Sequence, residues 1–295
     1  MYKYKRICKE CGKELFYKSS SAYHLAIKND SICKSCASIK RRKINNNLNI
    51  LLNEDLESYY WIGFILADGH FNKNGRLQIT LSNIDEEHLK KFCKYISCDN
   101  FLKRTNIVSV NAIMKEASLK IMEKFDIKNN KTYNPPSLEY YNKLENDKLI
   151  SLICGFIDGD GNIKHQHNRK DCVLQIHLHS SWIHFLKMIS ITLTNKDFSK
   201  ISKDGYSRLS ITNNSILKKL KCQALNFNLP LLERKWEKID LNYKTFYEVA
   251  KEKYNEFEQL YSQNIYSLND ICEIMKIKYN RVYSYKIKYN KKYGL

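Results

Sequence analysis

A chain of 295 residues has room for about two domains and a sizeable core. Its 43% hydrophobic and 12% aromatic content excludes a disordered chain, and nine Gly with three Pro exclude a collagenous or Pro-rich architecture. Lys plus Arg is 50 and Asp plus Glu is 31, a formal charge of +19 that points to a polyanion, although 41 of the 50 bases are Lys, a bias that an AT-rich genome also produces.

No apolar run approaches the ~18 residues of a membrane span, and the polar, basic start has no signal-peptide core, so a soluble intracellular protein is expected. The first element, residues 1–43, holds Cys8-x2-Cys11, 21 intervening residues and Cys33-x2-Cys36. Two such pairs clamp opposite edges of a tetrahedron, so one structural Zn²⁺ on Cys8, Cys11, Cys33 and Cys36 is expected. Gly12 frees a tight turn after the first pair, and Ala37–Arg42 after the second reads as a basic helix. The other six cysteines (Cys93, Cys98, Cys154, Cys172, Cys222, Cys272) read as core fillers. An Asn-rich linker follows over 44–55.

The middle of the chain repeats. Trp61–Gly69 matches Ile153–Gly161 with Gly63 over Gly155, an offset of 92, and Leu77-Gln78-Ile79-Thr80-Leu81 matches Leu174-Gln175-Ile176-His177-Leu178 at an offset of 97. Both copies continue with an apolar helix (about Asp85–Ile96 and Trp182–Leu193), strand-like segments (about Leu102–Ile113 and Phe198–Thr212) and another helix (about Ala117–Phe125 and Ser215–Ala224). The expectation is α+β, two pseudo-symmetric αββαββα repeats over 56–128 and 146–240, joined by a linker at 129–145 whose consecutive prolines forbid helix.

Gly63 and Ala67 are four apart, as are Gly155 and Gly159, giving each motif helix a stripe of small residues that lets two backbones approach closely. Gly69 and Gly161 are expected in the left-handed conformation that ends a helix. Asp68 and Asp160 then lie at the negative ends of two macrodipoles, unfavourable by ~0.3–1 kcal/mol each before their mutual repulsion. A fold that tolerates this twice implies a cation, and a divalent metal between carboxylates is the means of in-line phosphodiester hydrolysis.

Here the chain resembles the LAGLIDADG homing endonucleases in their single-chain, two-repeat form. The likeness covers roughly Leu56 to Asp240 and includes Leu232-Glu233-Arg234-Lys235-Trp236, similar to the segment closing the second repeat of many members. The resemblance implies a saddle of antiparallel strands on DNA, a central helix seam, and a Mg²⁺-dependent endonuclease that breaks both strands of a long, non-palindromic site. It makes Asp68 and Asp160 the catalytic, metal-binding acids and brings the carbonyls of Ala67 and Gly159 to the metal. The first motif departs at Leu66, where the pattern has the acid that Asp158 keeps. Polar helpers would fall near Asn83, Lys115 and Ser180.

On the sheets, alternation turns Leu77, Ile79 and Leu81 inward, and Arg76, Gln78, Thr80 and Ser82 outward. In the second repeat Leu174, Ile176 and Leu178 face in, and Gln175, His177 and His179 face out toward base edges. Lys103, Arg104, Lys164, His165, Arg169, Lys203 and Arg208 at hairpin ends would meet phosphates. A helical connector is expected over 241–263, with Phe246, Val249, Tyr254, Phe257 and Leu260 at helical spacing. Over 264–295, Ser267 caps a helix to Met275 with Asp270 closing a capping box, and a second helix carries Asn280, Arg281 and Lys286. This tail resembles a DNA-binding helix-turn-helix. A monomer bound to double-stranded DNA is expected. The alternatives are an intron RNA maturase or a non-cleaving regulator on the same scaffold.

Overall fold

The computed structural model describes residues 3–42, 46–166 and 171–294. The head is a hairpin of β1 (Tyr4–Ile7) and β2 (Glu14–Tyr17) followed by α1 (Ser20–Lys28) and α2 (Lys34–Arg42). The first repeat then runs α3 (Leu56–Asp68), β3 (Gly69–Phe71), β4 (Arg76–Ser82), α4 (Glu86–Tyr95), β5 (Phe101–Lys103), β6 (Ile107–Ile113) and α5 (Lys115–Lys124). A four-residue helix, α6 (Leu138–Tyr141), interrupts the expected linker, with the Tyr141 ring buried and its hydroxyl donating to the Phe125 carbonyl at 2.6 Å. The second repeat is α7 (Asn146–Asp160), β7 (Gly161–His165), β8 (Cys172–His179), α8 (Ile183–Thr194), β9 (Ser199–Ile201), β10 (Tyr206–Ile211) and α9 (Asn214–Asn226), closed by the short α10 (Glu233–Trp236). The chain ends in α11 (Phe246–Ser262), α12 (Leu268–Met275) and α13 (Tyr279–Tyr293).

The expected αββαββα order is present twice. Each repeat makes an antiparallel four-stranded sheet of the same topology, β3-β4-β6-β5 and β7-β8-β10-β9. Burial alternates strictly along β4: Leu77, Ile79 and Leu81 turn into the core, while Arg76, Gln78, Thr80 and Ser82 stay exposed. One hydrophobic core runs from Leu48 to Ile239 and includes α3, α7 and the inner faces of both sheets. Asp55 starts α3 by accepting the Ser58 N–H at 2.7 Å, an N-cap that satisfies one of the helix's orphan donors.

Three further expectations change. Gly69 and Gly161 are extended (φ −77° and −78°), not left-handed, because each helix passes directly into a strand. Glycine is still required, since a Cβ would stand 2.7 Å from the Ile65 carbonyl at Gly69 and 2.6 Å from that of Ile157 at Gly161. Cys222 is exposed and Cys272 half-buried, so only four of the six remaining cysteines fill the core. Finally, α11 is more than a connector. Its Tyr254 and Phe257 share a second core with Ile271, Met275, Val282 and Tyr285 of α12 and α13, whereas Phe246 and Val249 point to solvent. The Ser267–Asp270 capping box forms as expected, with donor–acceptor distances of 2.8 and 3.2 Å.

Candidate active site

The helices α3 and α7 run parallel and touch backbone to backbone. A Cβ placed on Gly63 would lie 1.9 Å from the Leu152 carbonyl oxygen, and one on Gly155 would lie 1.8 Å from that of Tyr60. One turn later, a Cβ on Gly159 would meet the Ala67 methyl at 2.2 Å and the Asp68 Oδ2 at 3.2 Å. The seam therefore delivers both C-terminal acids to one place, with Asp68 lying against the end of the opposite helix. Burial pushes the Asp160 carboxyl up to about 6, with the Asp68 charge adding to the effect. Burial likewise raises Asp68, opposed by Lys235 and then Lys131. These are two partly desolvated acids whose charges act on each other.

Two lysines answer the question posed by acids at helix C-termini. Lys131 Nζ donates to the carbonyls of Ile65, Leu66 and Ala67 at 2.8, 2.7 and 2.6 Å, capping α3. Lys235 Nζ does the same to Ile157, Asp158 and Gly159 at 3.0, 2.6 and 2.9 Å, capping α7. Each ammonium neutralises a negative helix end and satisfies last-turn carbonyls that have no partner within the helix. Burial pulls Lys131 down to about 8, with Asp160 and then Asp68 holding it up.

The sequence reading missed these lysines as site residues. Lys131 sits in a segment that reads as linker. Lys235 lies in the segment noted for its resemblance, with no role attached. Their one sequence-level sign is shared position, since each follows the last helix of its repeat. Of the helpers expected near the acids, Asn83 is engaged elsewhere. Asn83 Nδ2 donates to the Arg104 and Thr105 carbonyls at 3.2 and 2.6 Å. Lys115 begins α5, and Ser180 begins a short turn before α8. After burial, the charges acting on Asp68 are Lys235, Lys131, Asp85 and Arg234, and those acting on Asp160 are Asp68, Lys131 and Lys235.

Asp158 holds a separate post. It is 2% exposed and accepts hydrogen bonds from the Tyr60 hydroxyl at 2.5 Å, the Trp236 indole at 2.6 Å and the Leu232 N–H at 2.9 Å. Beside it Arg234 grips Asp85 with two nitrogens, one at 2.7 Å. Together these bonds fasten α10, and with it Lys235, onto the seam.

The exposed faces of the sheets carry polar rows. His70, Gln78 and Asn111 stand in register across the first sheet, and Asn162, Gln175 and Ser210 across the second. His177 is exposed opposite Arg208, and burial, Arg208 and Lys164 all push its imidazole toward the neutral form. Gln175 is half-buried, and His179 turns back to Ser181 at 3.0 Å and to the Tyr133 ring. At the hairpin ends Lys103 pairs with Glu86 at 2.5 Å and Arg208 with Asp204 at 3.1 Å, while Arg104, Lys164, His165 and Lys203 are exposed. Arg169 lies outside the described residues. In the tail, Asn280 is exposed and Lys286 half-buried, whereas Arg281 lies between the Phe246 and Tyr285 rings, 5.9 Å from each.

In the head, the sulfurs of Cys8, Cys11, Cys33 and Cys36 lie within 4.8 Å of one another, and Cys11 and Cys33 are 3.7 Å apart. A tetrahedron with Zn–S bonds of ~2.3 Å has sulfur–sulfur edges of ~3.8 Å, so the donor set fits the ion. The Cys33 N–H lowers the Cys8 thiol to about 6, whereas the sulfurs of Cys11 and Cys33 push Cys36 upward.

Two αββαββα halves about a bare-backbone seam, with an acid pair at its end, define a pseudo-twofold scaffold carrying one composite site. No protein-family model matches the chain, and no curated protein matches it. Among solved structures, a mutant of I-SmaMI is similar at 14% identity and TM-score 0.45, covering 79% of this chain and 99% of that one. I-GzeII, a LAGLIDADG homing endonuclease in complex with its DNA target, is similar at 12% identity and TM-score 0.38, covering 74% of this chain and 96% of that one. The LAGLIDADG meganuclease I-CpaMI bound to uncleaved DNA is similar at 13% identity and TM-score 0.38, covering 75% and 97%.

Proposed function

We propose that the protein is a site-specific DNA endonuclease of the LAGLIDADG homing type, making a metal-dependent double-strand break in a long, non-palindromic site. The carrying observation is the seam: two half-buried carboxylates meet where two helix backbones touch, each end capped by a lysine, Lys235 buried and Lys131 half-buried. The oxygen-only donor set of Asp68, Asp160 and the carbonyls of Ala67 and Gly159 suits Mg²⁺. A divalent cation there would supply charge neutralisation at the scissile phosphates and a more acidic water.

The chain's own residues do the rest. Asp68 and Asp160 would hold the cation, and the carboxylate of neither accepts a hydrogen bond from any described residue, leaving oxygens free for it. Lys131 and Lys235 place positive charge where negative charge grows on phosphate oxygens, in a setting that partly excludes water. Arg76, Gln78 and Thr80 with His70 and Asn111, and Gln175 and His177 with Asn162 and Ser210, present hydrogen-bonding groups to base edges. The two rows differ, so one chain reads two unlike half-sites. In this reading residues 1–43 are a Zn²⁺ module, and the tail from Phe246 onward extends the contact with DNA.

The test is selection from a randomised duplex library in Mg²⁺, followed by cleavage of the selected site. Asp68→Asn and Asp160→Asn should each stop double-strand cleavage and leave affinity within about tenfold, ~1.4 kcal/mol, because binding comes from strand and phosphate contacts. Failure of the wild type to cut any duplex, with tighter binding to a structured RNA, would overturn the reading in favour of an RNA-binding role.

A further inference from the structure

The two lysines occupy matching posts but hang from different supports. Lys131 is held through its main chain: the Trp182 indole donates to the Lys131 and Thr132 carbonyls at 3.1 and 3.2 Å, and Ser181 Oγ donates to Thr132 at 2.9 Å. Lys235 is held by a buried acid. Asp158 accepts the indole of the adjacent Trp236 at 2.6 Å and the Leu232 N–H at 2.9 Å, fixing α10 on both sides of the lysine. Under the 92-residue offset the counterpart of Asp158 is Leu66, an apolar residue 1% exposed that can support nothing of the kind. The repeats share a backbone and differ in what steadies the ammonium.

The supports also serve different ends of the acid pair. Asp68 Oδ2 lies against Gly159, at the helix end that Lys235 caps, and Lys235 is the strongest favourable charge on Asp68. Lys131 caps the opposite end at Ala67, and Asp160 is the acid that acts on it most strongly. The composite site thus divides into one centre of Asp68, the Gly159 carbonyl and Lys235, and another of Asp160, the Ala67 carbonyl and Lys131.

We propose that Asp158 is a positioning residue for the first of these centres alone and Trp182 for the second, so that cleavage of the two DNA strands rests on separable supports. The inference rests on the endonuclease reading above. Asp158 is 2% exposed, which keeps its carboxylate from meeting a bound duplex directly. It acts through Trp236 and Leu232 on where Lys235 stands, and a displacement of about 1 Å at such a post can cost about a hundredfold in rate.

The experiment uses the full chain and a supercoiled plasmid carrying the site that the wild type selects, with each strand's cut followed by strand-specific primer extension. Asp158→Leu copies the first repeat's residue, and Asp158→Asn keeps the volume but puts an NH2 donor at one of the two oxygen positions that accept from Leu232 and Trp236. Both should slow one strand by about ten- to a hundredfold relative to the other, so that nicked plasmid accumulates. Trp182→Phe should slow the opposite strand. In the free protein the three tryptophans give three indole N–H resonances. That of Trp236, assigned with Trp236→Phe, should move strongly in Asp158→Leu while that of Trp182 stays in place, which a general loosening of the fold would not produce. Equal slowing of both strands, or of neither, overturns the inference and leaves the endonuclease reading standing. A wild type that cuts nothing overturns the endonuclease reading itself.

Discussion

Gly155→Ala adds one methyl group at the tightest point of the seam. The new Cβ would lie 1.8 Å from the Tyr60 carbonyl oxygen, and real Cβ atoms keep about 3.0 Å, so α3 and α7 must part by about 1.2 Å. The obstructing atom is backbone inside a continuous core, and no rotamer change can relieve it. Overpacking in a core costs about 1–3 kcal/mol, and prying apart two rigid helices belongs at or above the top of that range. Alanine's better helix propensity returns ~1 kcal/mol, leaving a loss of about 2–3 kcal/mol. For a domain of this size that lowers Tm by roughly 4–12 °C. Gly205→Ala is the matched control: its Cβ meets nothing within 4 Å but must adopt φ +76°, so it should cost only about 1–2 kcal/mol of backbone strain. Thermal and urea unfolding of both variants measures the losses, and strand cleavage measures the consequence, because parting the helices also parts Asp68 from Asp160. A Gly155→Ala protein as stable as wild type and as fast at cleavage would refute the close seam and the placement of both acids with it.

Much of this architecture was legible because small-residue spacing and strand alternation are local signals. Gly63-x3-Ala67 and Gly155-x3-Gly159 announced close helices, and Leu77, Ile79 and Leu81 announced which face of the first sheet is buried. The lysines were not legible. Among 41 lysines, nothing local distinguishes Lys131 or Lys235 from a solvated side chain, since burial and three converging carbonyls exist only after α3 and α7 have packed. Asp158 shows the reverse case. The motif contains an acid at this point, yet its partners Tyr60, Leu232 and Trp236 lie 98, 74 and 78 residues away, so spacing gave no hint of an anchor. Gly69 and Gly161 misled for a simpler reason. An Asp-Gly helix end suggests a left-handed cap, but here the chain needs glycine to clear the carbonyls of Ile65 and Ile157 while going straight into a strand.

Metal analysis of the purified protein should return about one zinc per chain, and Cys33→Ser or a strong chelator should unfold the head while leaving the main core folded, as judged by proteolysis. An ordered head without zinc would contradict the site. Removal of residues after Tyr243 takes away α11 to α13 and their shared core as one unit, so the remainder should stay folded, lose footprint on one side of the DNA, and show a shallower salt dependence of binding. An unchanged footprint would assign the tail to packing only. The last prediction concerns Lys235→Met, which removes the ammonium from the Ile157, Asp158 and Gly159 carbonyls while keeping most of the apolar stem. A cation at a partly buried helix C-terminus is worth up to ~2 kcal/mol, and Asp68 loses its strongest favourable charge, so the variant without Mg²⁺ should unfold at lower temperature than wild type. Under the proposed function, Mg²⁺ and Lys235 both answer the charge of Asp68 and both seek the Gly159 carbonyl. Binding of an ion to the folded state alone stabilises it by an amount set by its concentration relative to Kd. Mg²⁺ should therefore raise the Tm of Lys235→Met by more than it raises that of wild type, because the variant's carbonyl and carboxylate are unshared. Calorimetric scans across a Mg²⁺ series read this difference directly, with Lys221→Met, whose ammonium meets the Ile239 carbonyl at 2.7 Å away from the acids, as the comparison. Equal Mg²⁺-dependent shifts in all three proteins would mean that no cation is held between these carboxylates.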